Sequence, residues 1–376
     1  MKFAHLADLH IGKRINNFSM LEDQKYILTQ VVNILQKEKP EAVFIAGDIY
    51  DTPLPPVEAV RLLDKFLTEL AELKMKVFII SGNHDSAERL SFGTGLLNKS
   101  GVYISPVFTG IFSPIKIQDE YGSVNIYMLP FLKPVYAKKA WPEEDIRTYD
   151  DAVRTAVEKM RIDREARNII IAHQFVTGAQ TSDSEEISIG GLDNISAEIF
   201  YPFDYAALGH IHRPQQIGRA FVRYAGTPLK YSFSECGHKK TLVIVNIKEK
   251  GKVDISARNL QPLHDMRRIR GNYADLVLRE NYEGTDTEDY LAVTLTDENE
   301  IPDAIGKLRT IYPNIMKIDY DNKRTQTNNI ITANTEKSKL PIDMLSEFYA
   351  LQNNKPFSKK QRNFAEKLIE QIWEEH

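Results

Sequence analysis

The chain has 376 residues, 42% hydrophobic and 27% charged, with a formal net charge of -4. This is the make-up of a folded globular protein of about two or three units, with no global electrostatic footprint for nucleic acid. Its single cysteine, Cys236, permits no internal disulfide, which fits a reducing cytoplasm, and no stretch approaches the roughly 18 apolar residues of a membrane helix.

In chain order, short apolar runs at 1–7, 42–46, 77–80, 168–171 and 205–208 read as buried strands, bounded by glycine or polar residues. Between them lie amphipathic helix patterns. Residues 21–39 place Ile27, Val31, Ile34 and Leu35 on one side; residues 57–73 do the same with Val60, Leu63, Phe66, Leu67 and Leu70. Alternating strands and helices predict an α/β core. Residues 241–247 and 253–257 read as an antiparallel pair around a Lys-Gly turn. The polar stretch 176–192, with Gly178, Gly190 and Gly191, reads either as a solvated loop or as a flap over a neighbouring site.

Each of the five early strands ends in polar residues: Asp8-Leu9-His10, Gly47-Asp48-Ile49-Tyr50-Asp51, Gly82-Asn83-His84-Asp85, Ala172-His173-Gln174 and Gly209-His210-Ile211-His212. Residues at strand ends are held by a rigid sheet and still reach solvent. Asp8 and His10, and likewise His210 and His212, are two apart, so in extended chain they project to the same side. Carboxylates, an amide and imidazoles without thiolates form a ligand set for two ions such as Mn, Fe or Zn. A pair of divalent ions polarises a phosphate and lowers the pKa of bound water towards about 7. One histidine or one G-D-x-x-D turn would mean little; five blocks, each after a strand, point to a metal-dependent phosphoesterase. His5 is expected in the core, and His238, His264 and His376 on the surface. A ligand already at Asp8, with a strand starting at residue 1, argues against a cleaved signal peptide.

The blocks resemble those of the calcineurin-like metallophosphoesterases: D-x-H, G-D-x-x-D, G-N-H-D/E, H and G-H-x-H. The resemblance implies an αββα two-sheet sandwich. It implies that Asp8, His10 and His212 hold one metal, that Asn83, His173 and His210 hold the other, and that Asp48 bridges them. His84 would contact the substrate phosphate and assist the leaving oxygen, with Asp85 orienting it through a carboxylate–imidazole hydrogen bond.

Further stretches narrow the resemblance: Ile11-Gly12-Lys13, Leu21-Glu22-Asp23-Gln24, Thr181-Ser182-Asp183-Ser184-Glu185 and Tyr231-Ser232-Phe233-Ser234-Glu235 are similar to the SbcD family of bacterial nuclease subunits. That family implies a nuclease domain at 1–261, a small α+β capping domain at 262–321, a linker at 322–338 and a helix pair at 339–376. It implies two Mn²⁺ per chain, with Mg²⁺ or another divalent ion as the alternative. It further implies double-strand exonuclease and single-strand or hairpin endonuclease action on DNA, and a homodimer within a heterotetramer. The partner would be SbcC, an ABC-type ATPase. This chain has no G-x-x-x-x-G-K-[S/T] phosphate loop, so ATP would bind the partner. Where archaeal and eukaryotic relatives often carry a second histidine, this chain has Asp51, so a directing role for that histidine does not transfer.

The second unit has a basic strand at 266–270, a β-like run at 290–296, a helix at 303–312 and a strand at 316–320. Its middle is acidic and its ends are basic, which suits either a DNA-contacting ridge or a solvated mixed surface. Lys13, Arg14, Arg89, Arg267 and Arg268 are the candidate DNA contacts. Near the C-terminus, Leu345, Phe348 and Leu351 form one apolar stripe, and Phe364, Leu368 and Ile372 with Trp373 form another. They need a surface to bury them, either the chain's own body or the partner. Ser358-Lys359-Lys360-Gln361 reads as a capping box for the last helix. The alternatives to a nuclease are a stand-alone phosphodiesterase for small or cyclic nucleotides and a non-catalytic scaffold. The first would not need the helix pair, and the second would be expected to have lost ligands.

Overall fold

A computed structural model describes residues 1–185, 193–322, 341–353 and 356–374. Lys323, Arg324, His376, all of the expected linker beyond Asn322 and the side chains of Leu351, Ile372 and Trp373 lie outside the described residues.

The chain divides into two compact units. The first comprises Met1–Arg268, Asp286–Ala292 and Tyr312–Lys317. It contains two six-stranded mixed sheets. In the first sheet the order is Val253–Asn259, Thr241–Ile247, Lys2–Leu6, Ala42–Ala46, Lys76–Ile80, Val102–Ile104. In the second it is Gln215–Ile217, Arg219–Tyr224, Tyr205–Gly209, Arg167–His173, Gly122–Leu129, Ile115–Asp119. The central strands of both sheets pair in parallel, and antiparallel strands lie towards the edges.

The apolar runs are continuous because each central strand is buried on both faces. Along Ala42–Ala46, Val43 and Ile45 face the helices Leu21–Glu38 and Val57–Glu72, while Ala42, Phe44 and Ala46 face the other sheet. Phe3, Phe78, Ile126, Ile169, Ile171 and Tyr205 complete the layer between the sheets. Outside the second sheet, Ala152, Val153, Ala156 and Val157 of helix Tyr149–Lys159 pack with Ile170 and Ala206. Helix, sheet, sheet, helix is therefore the order of layers.

Two details differ from expectation. Val60 is exposed, because the buried stripe of Val57–Glu72 runs through Ala59, Leu63, Phe66 and Leu70. Val60 lies one residue, or about 100°, away from that stripe. His238 and His264 are half-buried instead of lying on the surface, and Asp23 Oδ1 accepts from the backbone N–H of His264 at 3.0 Å.

The second unit comprises Ile269–Thr285, Val293–Ile311 and Ile318–His376. A three-stranded sheet is ordered Met266–Gly271, Tyr290–Leu295, Ile315–Tyr320. The expected helix at 303–312 is shorter, Ala304–Leu308. Helices Pro341–Asn353 and Lys359–Glu374 pack on one another, and the rings of Tyr349 and Phe357 stand 4.4 Å apart where they join. The capping box forms: Ser358 Oγ accepts from Gln361 N–H at 3.3 Å, and Gln361 Oε1 accepts from Ser358 N–H at 2.9 Å. Leu345, Phe348, Phe364 and Leu368 are exposed.

Candidate two-metal site

The five blocks leave the sheets at one edge and turn sharply. Asp8, His10, Asp48 and His210 all have positive φ, at 54°, 45°, 49° and 105°. Such conformations cost non-glycine residues about 1–3 kcal/mol each and gather at functional sites. The rigid strands that precede them hold the side chains in place against that strain. Two glycines let the loops approach closely. A Cβ on Gly82 would lie 2.1 Å from Asp48 Oδ1, and one on Gly47 would lie 2.3 Å from His173 Nδ1.

Two clusters meet at Asp48. In the first, His173 Nε2 is 2.9 Å from Asn83 Oδ1 and 3.3 Å from Asp48 Oδ2, and His210 Nδ1 is 2.9 Å from the same Asn83 oxygen. In the second, His10 Nε2 is 3.2 Å from His212 Nε2 and 3.6 Å from Asp48 Oδ2. Asp8 Oδ1 accepts from His210 N–H at 2.8 Å, while its buried Oδ2 has no hydrogen-bond partner. One ligand atom from each of Asp8, His10 and His212 lies within 4.8 Å of the others, and the same holds for Asp48, His173 and His210.

The pattern of donors shows what this arrangement accepts. His173 Nδ1–H donates to the carbonyl of Ala46 at 2.8 Å, which makes Nε2 the nitrogen that gains or loses the proton. Nε2 faces the oxygens of Asn83 and Asp48, so without a cation a proton sits among acceptors at a place where a metal ion would displace it. Burial lowers the His173 pKa, but the carboxylates of Asp48 and Asp8 outweigh it and raise the group to about 9. Burial pushes Asp8 well above the usual carboxylate range, with the nearby charge of Asp48 adding to it. Two buried carboxylates, four imidazoles and an amide oxygen with converging lone pairs fit two divalent cations, which would replace the missing positive charge.

His84 lies beside this set, its ring centroid 4.9 Å from that of His10. It also falls within 4.8 Å of ligand atoms of His10 and Asp48. Its Nδ1 is 3.0 Å from the carbonyl oxygen of Asp51. The orienting bond expected from Asp85 is thus replaced by a backbone contact. The Asp85 carboxylate instead accepts from three backbone N–H groups, those of Ile49, Tyr50 and Gly82, at 3.0, 3.0 and 2.9 Å. Burial and the charge of Asp48 raise its pKa to about 6, against those three bonds. Asp51 also faces Lys13 Nζ at 2.7 Å and His10 Nδ1 at 3.4 Å. Burial would raise its carboxyl, but His10 and Lys13 outweigh it and bring it to about 2.

Several supporting residues are not evident as such from the sequence. Gln24 clamps the first loop: its Oε1 accepts from Gly12 N–H at 2.9 Å and its Nε2 donates to the His10 carbonyl at 2.7 Å. Tyr231 O–H donates to the Leu9 carbonyl at 2.6 Å. Their only sequence signal is their presence in stretches shared with the SbcD family, which carry no stated role.

The candidate DNA contacts do not form one cluster of free cations. Lys13 is paired with Asp51, and Arg267 Nε with Asp289 Oδ2 at 2.5 Å. Arg14, Arg89 and Arg268 are exposed. Arg14 donates to the Asn17 carbonyl, and Arg268 to that of Phe233 at 3.2 Å.

The calcineurin-like phosphoesterase family model matches residues 1–214. That of the type 5 capsule protein repressor C-terminal domain (SbcD_C) matches residues 262–353. The SbcD subunit of the nuclease SbcCD from Staphylococcus epidermidis is 37% identical over 322 residues, 85% of each chain. Among solved structures, a dimetal phosphatase from Danio rerio is 11% identical, with a TM-score of 0.41, over 70% of this chain and 98% of its own. The phosphoesterase YfcE of E. coli has a TM-score of 0.28 at 11% identity, over 69% of this chain and 100% of its own. Neither score bears on the chemistry of this site. The chain belongs to the calcineurin-like phosphoesterases and, within them, to the SbcD family of nuclease subunits. It is an enzyme of the metallophosphoesterase class. Among the described residues no helix is long and apolar enough to cross a membrane.

Proposed function

We propose that this chain is the nuclease subunit of an SbcCD-type complex, cutting DNA as a double-strand exonuclease and a single-strand or hairpin endonuclease. The observation that carries the reading is the meeting of two ligand sets at Asp48, in a chain 37% identical to the SbcD subunit of an SbcCD nuclease. Asp8, His10 and His212 would hold one ion, and Asn83, His173 and His210 the other, with Asp48 shared. Mn²⁺ is the ion proposed for both places. When bound, two such ions polarise the phosphodiester and activate water at neutral pH. His84 then faces the phosphate and gives a proton or hydrogen bond to the departing oxygen. The carbonyl of Asp51 fixes its ring, and Asp85 ties the Gly47 and Gly82 loops together.

The exposed Leu345, Phe348, Phe364 and Leu368 support a helix pair that docks on the ATPase partner SbcC. Leu351, Ile372 and Trp373 continue the same sequence stripes. The working assembly is a dimer of this chain within a heterotetramer, in the cytoplasm and on DNA. Lys13, Arg14, Arg89, Arg267 and Arg268 remain the proposed DNA contacts.

A nuclease assay on hairpin DNA and on a small phosphodiester, with Mn²⁺ or EDTA and with SbcC added or omitted, tests the reading. Mn²⁺-dependent hairpin cleavage, with ATP-dependent duplex processing only when SbcC is present, is expected. Hydrolysis of the small phosphodiester alone would overturn it.

A further inference from the structure

We propose that Ser184, backed by Glu235 and Lys240, is a positioning relay that fixes the tautomer of His212 and turns its Nε2 lone pair towards the cation. The inference rests on the reading of His212 as a metal ligand. The relay joins two stretches to which the proposed chemistry gives no role, Thr181-Ser182-Asp183-Ser184-Glu185 and Tyr231-Ser232-Phe233-Ser234-Glu235.

The contacts run in one line. His212 Nδ1 is 2.6 Å from Ser184 Oγ, and Ser184 Oγ is 2.6 Å from Glu235 Oε1. Glu235 is fully buried, and its other oxygen accepts from Lys240 Nζ, itself buried. The same ammonium donates to the His212 carbonyl at 2.8 Å, so it holds the backbone of the ligand as well as the far end of the relay. The loops are tied at two more points. Glu185 Oε1 accepts from His212 N–H at 2.8 Å, and Ser234 Oγ accepts from Asp183 N–H at 2.9 Å.

Counting protons gives the direction. Ser184 has one hydroxyl proton and lies near two strong groups. A carboxylate paired with an ammonium is ionised and can only accept. A hydrogen bond to an ionised oxygen is about twice as strong as a neutral one, so the hydroxyl proton goes to Glu235. Ser182 cannot supply a second proton, because its own hydroxyl donates to Glu185 Oε2 at 2.7 Å. The His212 contact is therefore a donation from Nδ1–H to Ser184 Oγ. Nε2 is left bare, facing His10 Nε2 at 3.2 Å. The Ala46 carbonyl likewise fixes Nδ1 of His173 as the donor; His212 uses side chains drawn from two distant loops.

The test is a Mn²⁺ titration of the full-length, EDTA-stripped chain, following heat release, for the parent, Ser184→Ala and Ser184→Thr. Loss of a partner behind a metal-bound imidazole typically weakens metal affinity about 10–100-fold. Ser184→Ala should weaken one of two Mn²⁺ binding events by that factor and leave the other unchanged. Its metal-free thermal transition should match that of the parent. Ser184→Thr, which keeps the hydroxyl, should restore affinity to near the parental value. If Ser184→Ala binds both ions as tightly as the parent, or if Ser184→Thr is as weak as Ser184→Ala, the relay is wrong. If the parent itself does not bind two ions, the two-metal reading falls, and the relay falls with it.

Discussion

His84 is held by the main chain of Asp51, not by the side chain of Asp85: its Nδ1 sits 3.0 Å from the Asp51 carbonyl oxygen. The two acidic residues flanking the site therefore have separable effects. Asp51→Ala keeps the carbonyl and should leave His84 in place. Its expected cost is a modest loss of affinity for the ion at His10, because the side chain that faces His10 Nδ1 at 3.4 Å is gone. Steady-state cleavage measured against Mn²⁺ concentration should show a raised requirement for Mn²⁺ and a near-parental maximal rate.

Asp85→Ala should act on stability instead. The variant leaves the N–H groups of Ile49, Tyr50 and Gly82 without their acceptor. Unmet buried donors cost about 1–3 kcal/mol each, less where water enters, so a loss of at least about 2 kcal/mol is expected. Urea denaturation of the metal-free protein measures it; an unchanged midpoint would show that the loops do not depend on this carboxylate.

His84→Gln should lower turnover by about 10²–10⁴-fold while both ions stay bound. Because His84 falls within ligand range of His10 and Asp48, metal content decides between the two roles. Loss of an ion in the variant would make His84 a ligand. Near-parental turnover would remove it from the chemistry.

A second stability prediction lies away from the site. Asp119 and Arg167 form a bidentate ion pair with side chains only 8% and 3% exposed, and Arg167 also donates to the Gly122 carbonyl at 2.7 Å. The Arg167 guanidinium holds the Asp119 carboxyl well below the ordinary range. A depressed carboxyl contributes stability above its unfolded value of about 3.9, and that contribution is lost as pH falls through and below it. Arg167→Ala should cost about 1.5–3 kcal/mol at neutral pH, the range of a lost charged hydrogen bond and not that of an orphaned buried charge, because the Met1 amino group still pairs with Asp119 Oδ2 at 2.5 Å. The difference from the parent should shrink in denaturation series carried below about pH 4.

Ending the chain near Lys337 should remove binding to SbcC and leave hydrolysis of a small phosphodiester intact. All proposed ligands precede residue 213, while the deleted helices carry Leu345, Phe348, Phe364 and Leu368. Each apolar side chain buried on a partner contributes about 1.5–3 kcal/mol before association costs. Co-purification and a melting curve test this. A truncated chain that unfolds would make the helices part of its own core, and one that still binds SbcC would place the contact elsewhere.

The sequence is most legible where the chemistry is local. A polar block after an apolar run marks a strand end, so the residues that meet at Asp48 can be named from five short blocks. The strands Ile115–Asp119, Gly122–Leu129 and Arg219–Tyr224 do not stand out in the same way. The first and third mix charged and apolar residues, as strands at or near an edge do, and the second contains Asn125, satisfied by Asn168 Oδ1 at 3.0 Å. Contacts made across long sequence separations are not legible either. The role of Gln24 depends on Tyr231 and on the His10 carbonyl, and that of Ser184 on Glu235, 51 residues on. The Asp51–His84 contact uses a carbonyl, which no side-chain pattern reveals.

Asp48 is proposed to serve two ions at once. The direct measurement is the number of Mn²⁺ ions retained per chain after desalting, in the parent, Asp48→Ala and His10→Ala. A carboxylate shared by ions about 3.5–4 Å apart also offsets their repulsion. About two ions are expected in the parent, with a greater loss in Asp48→Ala than in His10→Ala and retention of the His173 site's ion in His10→Ala. Two ions retained by Asp48→Ala would contradict that shared role.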